Sequence, residues 1–280
     1  DLHSFPTRRS SDLHIAGVDD AAAEELLAEF AEELMVDYPE SATGLGIDVG
    51  PRVDLKARLS DRSAAGQQAI AQRVAKRLQR MKSIDNSALG SEARIDVDVM
   101  RTAHEFASEG FAFPYGDTAL LNQNWSWRNA PYVVAQNTGA FLEIPGMLDT
   151  QHTVATREDA DAYLSRLEAY AGQLDGETGR LKSAASQGVI APDFLLDKTL
   201  SQIRIARGGT IAHWPIVTSL ANRTKAMPGN FAAKAAKIAA DKLAPALDRQ
   251  IAELEAHRRR ATGDAGVWKL PLYGDRKSVV

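Results

Sequence analysis

The chain has 280 residues, 33 basic and 37 acidic side chains, and a net charge of −4 at neutral pH. The two signs are interspersed, as on a solvated surface, which argues against a nucleic-acid partner. A hydrophobic fraction of 44% supplies a sizeable core, and no apolar run reaches membrane-spanning length. There is no cysteine, which excludes disulfides, a thiolate nucleophile and a Cys-ligated zinc.

Both termini look like translated sequencing-adapter oligonucleotide. Thr7-Arg8-Arg9-Ser10-Ser11-Asp12 and Asp275-Arg276-Lys277-Ser278-Val279-Val280 can be encoded by one DNA string read on its two strands. Residues 1–13 and 275–280 are therefore expected to be non-native, leaving 14–274 as natural polypeptide. A signal peptide would precede His14, so the compartment, periplasmic or secreted versus cytoplasmic, stays open.

In chain order, nearly every patterned stretch reads as helix. Asp19 and Asp20 lead into Leu26, Leu27, Phe30 and Leu34 at helical spacing, up to Pro39. A loop with Gly44, Gly46, Gly50 and Pro51 follows, and Ser60 or Asp61 can cap a second helix through Ile70, Val74, Leu78 and Met81. Beyond Ser91, Ile95, Val97 and Val99 alternate as in a strand, but Ile95, Val99, Ala103 and Phe106 keep the longer helical register, which predicts a helix.

Residues 111–128 lack periodicity. Pro131 suits the first turn of a helix running to about Phe141, with Pro145 and Gly146 ending that region. Thr156 and Asp159 make a capping box for a long helix striped with Tyr163, Leu167, Tyr170 and Leu174. Further helices are predicted from Pro192 to Gly208, over residues 216–227, and from Phe231 to Arg260. Pro245 should kink or split the last. The pattern defines an all-α protein, a multi-helix array of long antiparallel helices.

The stretch from Asn122 to His152 is the densest in chemistry. Asn122 to Trp127 combine amides with two tryptophans, and Arg128, Asn129, Tyr132, Gln136 and Asn137 follow. On the predicted helix Tyr132, Gln136 and Ala140 would share one face, with Asn137 beside it. Such a block suits a groove wall whose amides bond a ligand's backbone. It equally suits a buried hydrogen-bond network that anchors a long loop.

Other motifs fail on spacing. His104-Glu105 begins a zincin pattern, but Ser108 stands where the second histidine belongs. No glycine-rich phosphate loop and no Gly-x-Ser-x-Gly elbow occurs. Arg258-Arg259-Arg260 reads as a solvated helix end.

Several pieces together resemble a bacterial family called domain of unknown function 885. They are Tyr38-Pro39-Glu40-Ser41-Ala42-Thr43-Gly44-Leu45-Gly46, the block from Asn129 to Ala140, Ile144-Pro145, His152, and the helix from Asp159 through Tyr163 to Leu167. Pro192-Asp193-Phe194-Leu195 and Gly266-Val267-Trp268-Lys269-Leu270-Pro271 complete the pattern.

The resemblance implies a mostly helical protein about twice this length, of which this chain is the N-terminal half. It also implies a zinc-peptidase-like hydrolase whose metal motif lies in the missing C-terminal half. No catalytic or metal residue is then expected here and no cofactor in this fragment, with zinc in the intact parent. The partners implied are the missing half and a peptide substrate, with no nucleic acid and no membrane span. Arg128, Asn129, Tyr132, Gln136 and Asn137 would be the substrate-side groups. The rival expectation is a non-catalytic helical peptide- or sugar-binding protein, and a third is a purely structural scaffold.

Overall fold

A computed structural model describes residues 10–121 and 128–271, with backbone alone for 10–18. These residues form ten α-helices and no β-strand, as the patterning predicts. The first is α1 (Ser10–Asp37), which starts before the expected Asp19 because no proline interrupts the preceding residues. A short α2 (Pro39–Gly44) and a 3-10 segment (Gly50–Ala57) lead to α3 (Ala64–Lys82) and α4 (Ser91–Phe111). The cap of α3 is Ser63, whose side chain accepts from Gly66 N, and not Ser60 or Asp61.

After a long connection come α5 (Ala140–Thr150) and the thirty-residue α6 (Arg157–Ser186). The Thr156–Asp159 capping box is formed, satisfying two amides that no intrahelical carbonyl can reach. Then follow α7 (Asp193–Arg207), α8 (Pro215–Arg223), α9 (Phe231–Ile238) and α10 (Ala244–Arg258). A π turn over Ala239–Leu243 separates the last two. Pro245 has no N–H to return to the preceding turn, and the wider turn absorbs that defect.

Two expectations fail. No helix begins at Pro131, and Pro145 lies inside α5 rather than ending it. A proline inside a helix costs about 3 kcal/mol. Burial of Phe141, Ile144, Met147 and Leu148 from the same helix outweighs that cost.

The helices pack in two groups. α1, α3 and α4 bury Phe30, Val74, Met81 and Val97 between them. The larger core lies along α6, which contacts α5, α9 and α10, and is filled by Tyr163, Leu167, Leu174, Leu196 and Leu254.

Arg166 of α6 ties the N-terminal segment to this core. It is fully buried, and donates to Arg58 O (2.9 Å), Leu55 O (3.1 Å), Thr43 Oγ1 (2.7 Å) and His152 Nδ1 (2.9 Å). Thr43 in turn donates to Asp48 (2.8 Å), so the charge reaches a carboxylate through one hydroxyl. Because a guanidinium only donates, His152 Nδ1 must accept, and Nε2–H donates to Asp159 O (3.0 Å). His152 is thus a structural neutral histidine. It does not pair with Asp149, which instead accepts from Ser219.

Burial, together with the neighbouring Arg166, pushes the His152 pKa down to about 4. The unfolded chain takes up this proton near pH 6.5. Stability from this group is therefore full above pH 6.5 and is lost as pH falls from 6.5 toward 4. Urea unfolding should record a decline on the order of 3 kcal/mol across that window, and His152→Gln should flatten it. Equal slopes in the two proteins would rule the assignment out.

Candidate functional site

The connection between α4 and α5 is held by buried charge. Asp117 is buried, and its carboxylate accepts from Arg128 Nε (2.6 Å) and from Arg180 Nη2 of α6 (2.7 Å). Burial alone would raise the Asp117 pKa, but the two guanidinium groups more than offset this and hold the carboxyl well below the usual range. Arg180 also donates to Gly116 O (2.6 Å) and to Arg62 O (3.3 Å).

Arg62 continues the network. It donates to Glu177 of α6 (3.0 Å) and to Glu143 of α5 (2.7 Å). Glu177 also receives the amide of Ala140 (2.9 Å), and Glu143 receives the amide of Gly139 (3.1 Å) and the hydroxyl of Thr138 (3.2 Å). The first turn of α5 is therefore fixed by two carboxylates, which also favours the positive end of its dipole. Three arginines and three carboxylates balance, so no member is left as an unpaired buried charge.

These contacts explain why residues 129–139 are not helical. Asn129 has φ +67°, and its amide spans both backbone groups of Ala119, accepting at 2.7 Å and donating at 3.2 Å. Asp117 and Ala130 exchange backbone hydrogen bonds (2.8 and 3.2 Å), as do Ala135 and Thr138 (3.0 and 3.3 Å). Gly116, at φ +81°, allows this approach, since a Cβ there would meet Ala130 O at 2.8 Å. Gly139 stands at φ +126° as the residue before α5, and not in a helix interior.

The five expected substrate-side residues are consequently split. Arg128 is buried against Asp117, with its guanidinium over the Tyr38 ring, and Asn129 braces Ala119. Tyr132 is half-buried against the large core, and burial raises its pKa. Gln136 and Asn137 form the tip of the tight turn, half-buried, with side-chain amides that have no partner among the described residues. The shared helical face of Tyr132, Gln136 and Ala140 does not exist. The aromatic part of the block, Asn122 to Trp127, lies outside the described residues.

A cavity of about 630 Å³ lies between the end of α4 and this loop. Phe106, Tyr115, Asn129, Pro131, Val267 and Leu270 contribute to its lining, which is mostly apolar. The volume falls within the range of small-molecule and peptide side-chain pockets. Of the five residues singled out in the sequence, only Asn129 lines this cavity; Pro131, expected at a helix start, lines it too, while Asp117, Tyr115 and the arginines Arg62 and Arg180 were not singled out. Only the i,i+3 spacing of Glu177 and Arg180 hinted at a shared face.

His104, which begins the incomplete zincin pattern, lies on the buried side of α4. It is fully buried, its Nδ1 lies 2.7 Å from Met100 O, and burial lowers its pKa. Among the described residues, no group of three or more His, Cys, Asp or Glu could hold a metal ion. No described helix is long and apolar enough to cross a membrane.

The architecture is that of an all-α array found in a longer solved protein. It is similar to the structure of the putative lipoprotein from Colwellia psychrerythraea, with a TM-score of 0.77 at 14% identity, over 90% of this chain and 44% of that one. The chain thus spans less than half the length of that relative. Residues 39–276 match a family described as bacterial protein of unknown function (DUF885), and the chain belongs to that family. No curated protein matches it.

Breaking the Asp117 cluster should cost far more than breaking an exposed pair. Asp117→Asn leaves the buried guanidinium of Arg128 and the largely covered one of Arg180 short of charge and should lose about 3–5 kcal/mol in urea unfolding. Asp175→Asn removes an exposed partner of Arg249 and should stay within about 1 kcal/mol of wild type. Similar losses for the two would contradict the network's role.

Proposed function

We propose that this chain is the N-terminal helical half of a zinc-dependent peptidase-like hydrolase and forms one wall of its substrate cleft. The observation that carries this reading is the cavity of about 630 Å³, built on a loop that buried ion pairs hold in place. Preorganisation of that kind spares a binding site the entropy of ordering a loop on contact. The mostly apolar lining favours a peptide side chain over a sugar, which needs many polar partners.

The described residues do not fit a zinc site, since no sufficient cluster of ligands exists among them. The reading therefore puts the metal in polypeptide beyond this chain, in keeping with the length of the Colwellia relative, and assigns no chemical step to the residues described. Their work is to bind and orient. Gln136 and Asn137, whose amides at the turn have no partner among the described residues, are suited to bond a peptide backbone, while Asn129 and Pro131 border the pocket itself. Arg128 acts indirectly, by holding the loop through Asp117.

The test is made on the protein encoded by the continuous reading frame. Purified, it should carry stoichiometric zinc and cleave peptides, and Gln136→Ala should raise KM roughly tenfold with kcat little changed. The 280-residue chain alone should cleave nothing. Zinc-free full-length protein that binds peptides without cleaving them would support the non-catalytic binding protein instead.

A further inference from the structure

One stripe of α4 opens onto the cavity beside the α4–α5 connection. Ala103, Phe106, Ala107 and Gly110 recur at three- and four-residue spacing, and all four line it. Three of them carry only a methyl group or a hydrogen, which leaves the space to a ligand. Phe106, 69% exposed, stands at the rim. Phe113 and Tyr115 line the cavity from the connection, their rings 5.7 Å apart and inclined at 61°. Three aromatic rings in one lining offer edges and faces to a further ring.

The charge at the cavity restricts what it can take. No Lys, Arg or His side chain is among the described residues that line it, so a carboxylate entering it would find no cation. The one acidic side chain among them, Asp117, is already held by Arg128 and Arg180, so an entering cation would find no free carboxylate. Two neutral polar side chains are engaged as well. Tyr115 OH donates to Pro271 O, and Ala119 holds both ends of the Asn129 amide. Thr118 is the exception, since its hydroxyl has no hydrogen-bond partner among the described residues. A Cβ at Gly110 would press on Thr118 Oγ1 at 3.0 Å, so glycine there leaves the hydroxyl uncovered. An uncharged, apolar group with at most one polar atom matches this lining.

We propose that the cavity is a specificity pocket for a neutral aromatic residue of a peptide ligand. The ring lies among Phe106, Phe113 and Tyr115, and the phenol of a tyrosine pairs with Thr118 Oγ1. This rests on the reading of the chain as one wall of a peptide-binding cleft, and it is common to the hydrolase and to the non-catalytic binding protein.

The probes are tripeptides blocked at both ends, with phenylalanine, tyrosine, leucine, lysine or glutamate between two alanines, titrated calorimetrically into the full-length protein. The phenylalanine and tyrosine peptides should bind roughly 30-fold tighter than the lysine and glutamate ones, and roughly fivefold tighter than the leucine one. Where a peptide is cleaved, kcat/KM should follow the same ratios. Thr118→Val should weaken the tyrosine peptide roughly fivefold and leave the phenylalanine peptide unchanged. Ala103→Trp, which fills the cavity from α4, should abolish the aromatic preference. Equal affinity across the set, a preference for a charged residue or for leucine, or an aromatic preference that survives Ala103→Trp overturns the proposal. Should Ala103→Trp fail to fold, the Thr118→Val comparison decides, and equal effects on the tyrosine and phenylalanine peptides contradict the assignment. Zinc-free protein that prefers aromatic peptides and cleaves none would sink the hydrolase reading alone. Zinc-dependent cleavage indifferent to aromatic residues would sink this proposal alone, and binding of no peptide would sink both.

Discussion

The balanced cluster of Arg62, Arg128 and Arg180 with Asp117, Glu143 and Glu177 is the constraint on which the site depends. Each ion taken from water costs several kcal/mol, and only near-complete pairing recovers it. That requirement is geometric. Two members stand one turn apart on α6, so the long helix acts as a ruler, and Gly116, Asp117, Arg128 and the start of α5 must come to it. A salt-bridged cluster adds little net stability over an apolar core, but it permits very few alternative arrangements of the loop.

A second charged tie does similar work farther along α6. Arg166 has no carboxylate in direct contact, and burial lowers its pKa to about 10. Its donors are spread over carbonyls, a hydroxyl and a histidine, which keeps each polar group paired while letting the segment 43–58 lie against the helix. Together, the two sets of arginine contacts attach the irregular parts of the chain to the regular ones. The apolar core does not need them to form; the shape of the connecting segments does.

The helical framework was legible because its signals are local. The Thr156–Asp159 capping box, the stripe of Tyr163, Leu167 and Tyr170, and the break at Pro245 each lie within a few residues. The candidate site was not legible for the opposite reason. Arg62 meets Glu177 across 115 positions and Glu143 across 81, and no spacing rule connects them. Pro131 looked like a helix start because proline at a first turn is common. The competing influences were Asn129 in a left-handed conformation, β-branched Val133 and Val134, and Gly139 at positive φ. Of the five residues singled out, Gln136 and Asn137 have no side-chain partner among the described residues, whereas Arg128 and Asn129 serve the loop itself.

The described parts of this connection, residues 112–121 and 128–139, form a fixed wall. Native-state hydrogen exchange tests it directly at the amides of Asp117, Ala119, Ala130, Ala135 and Thr138, each of which donates within the loop. They should exchange as slowly as core amides of α6, through the same global opening. Exchange within about tenfold of an unstructured peptide, while α6 stays protected, would contradict it.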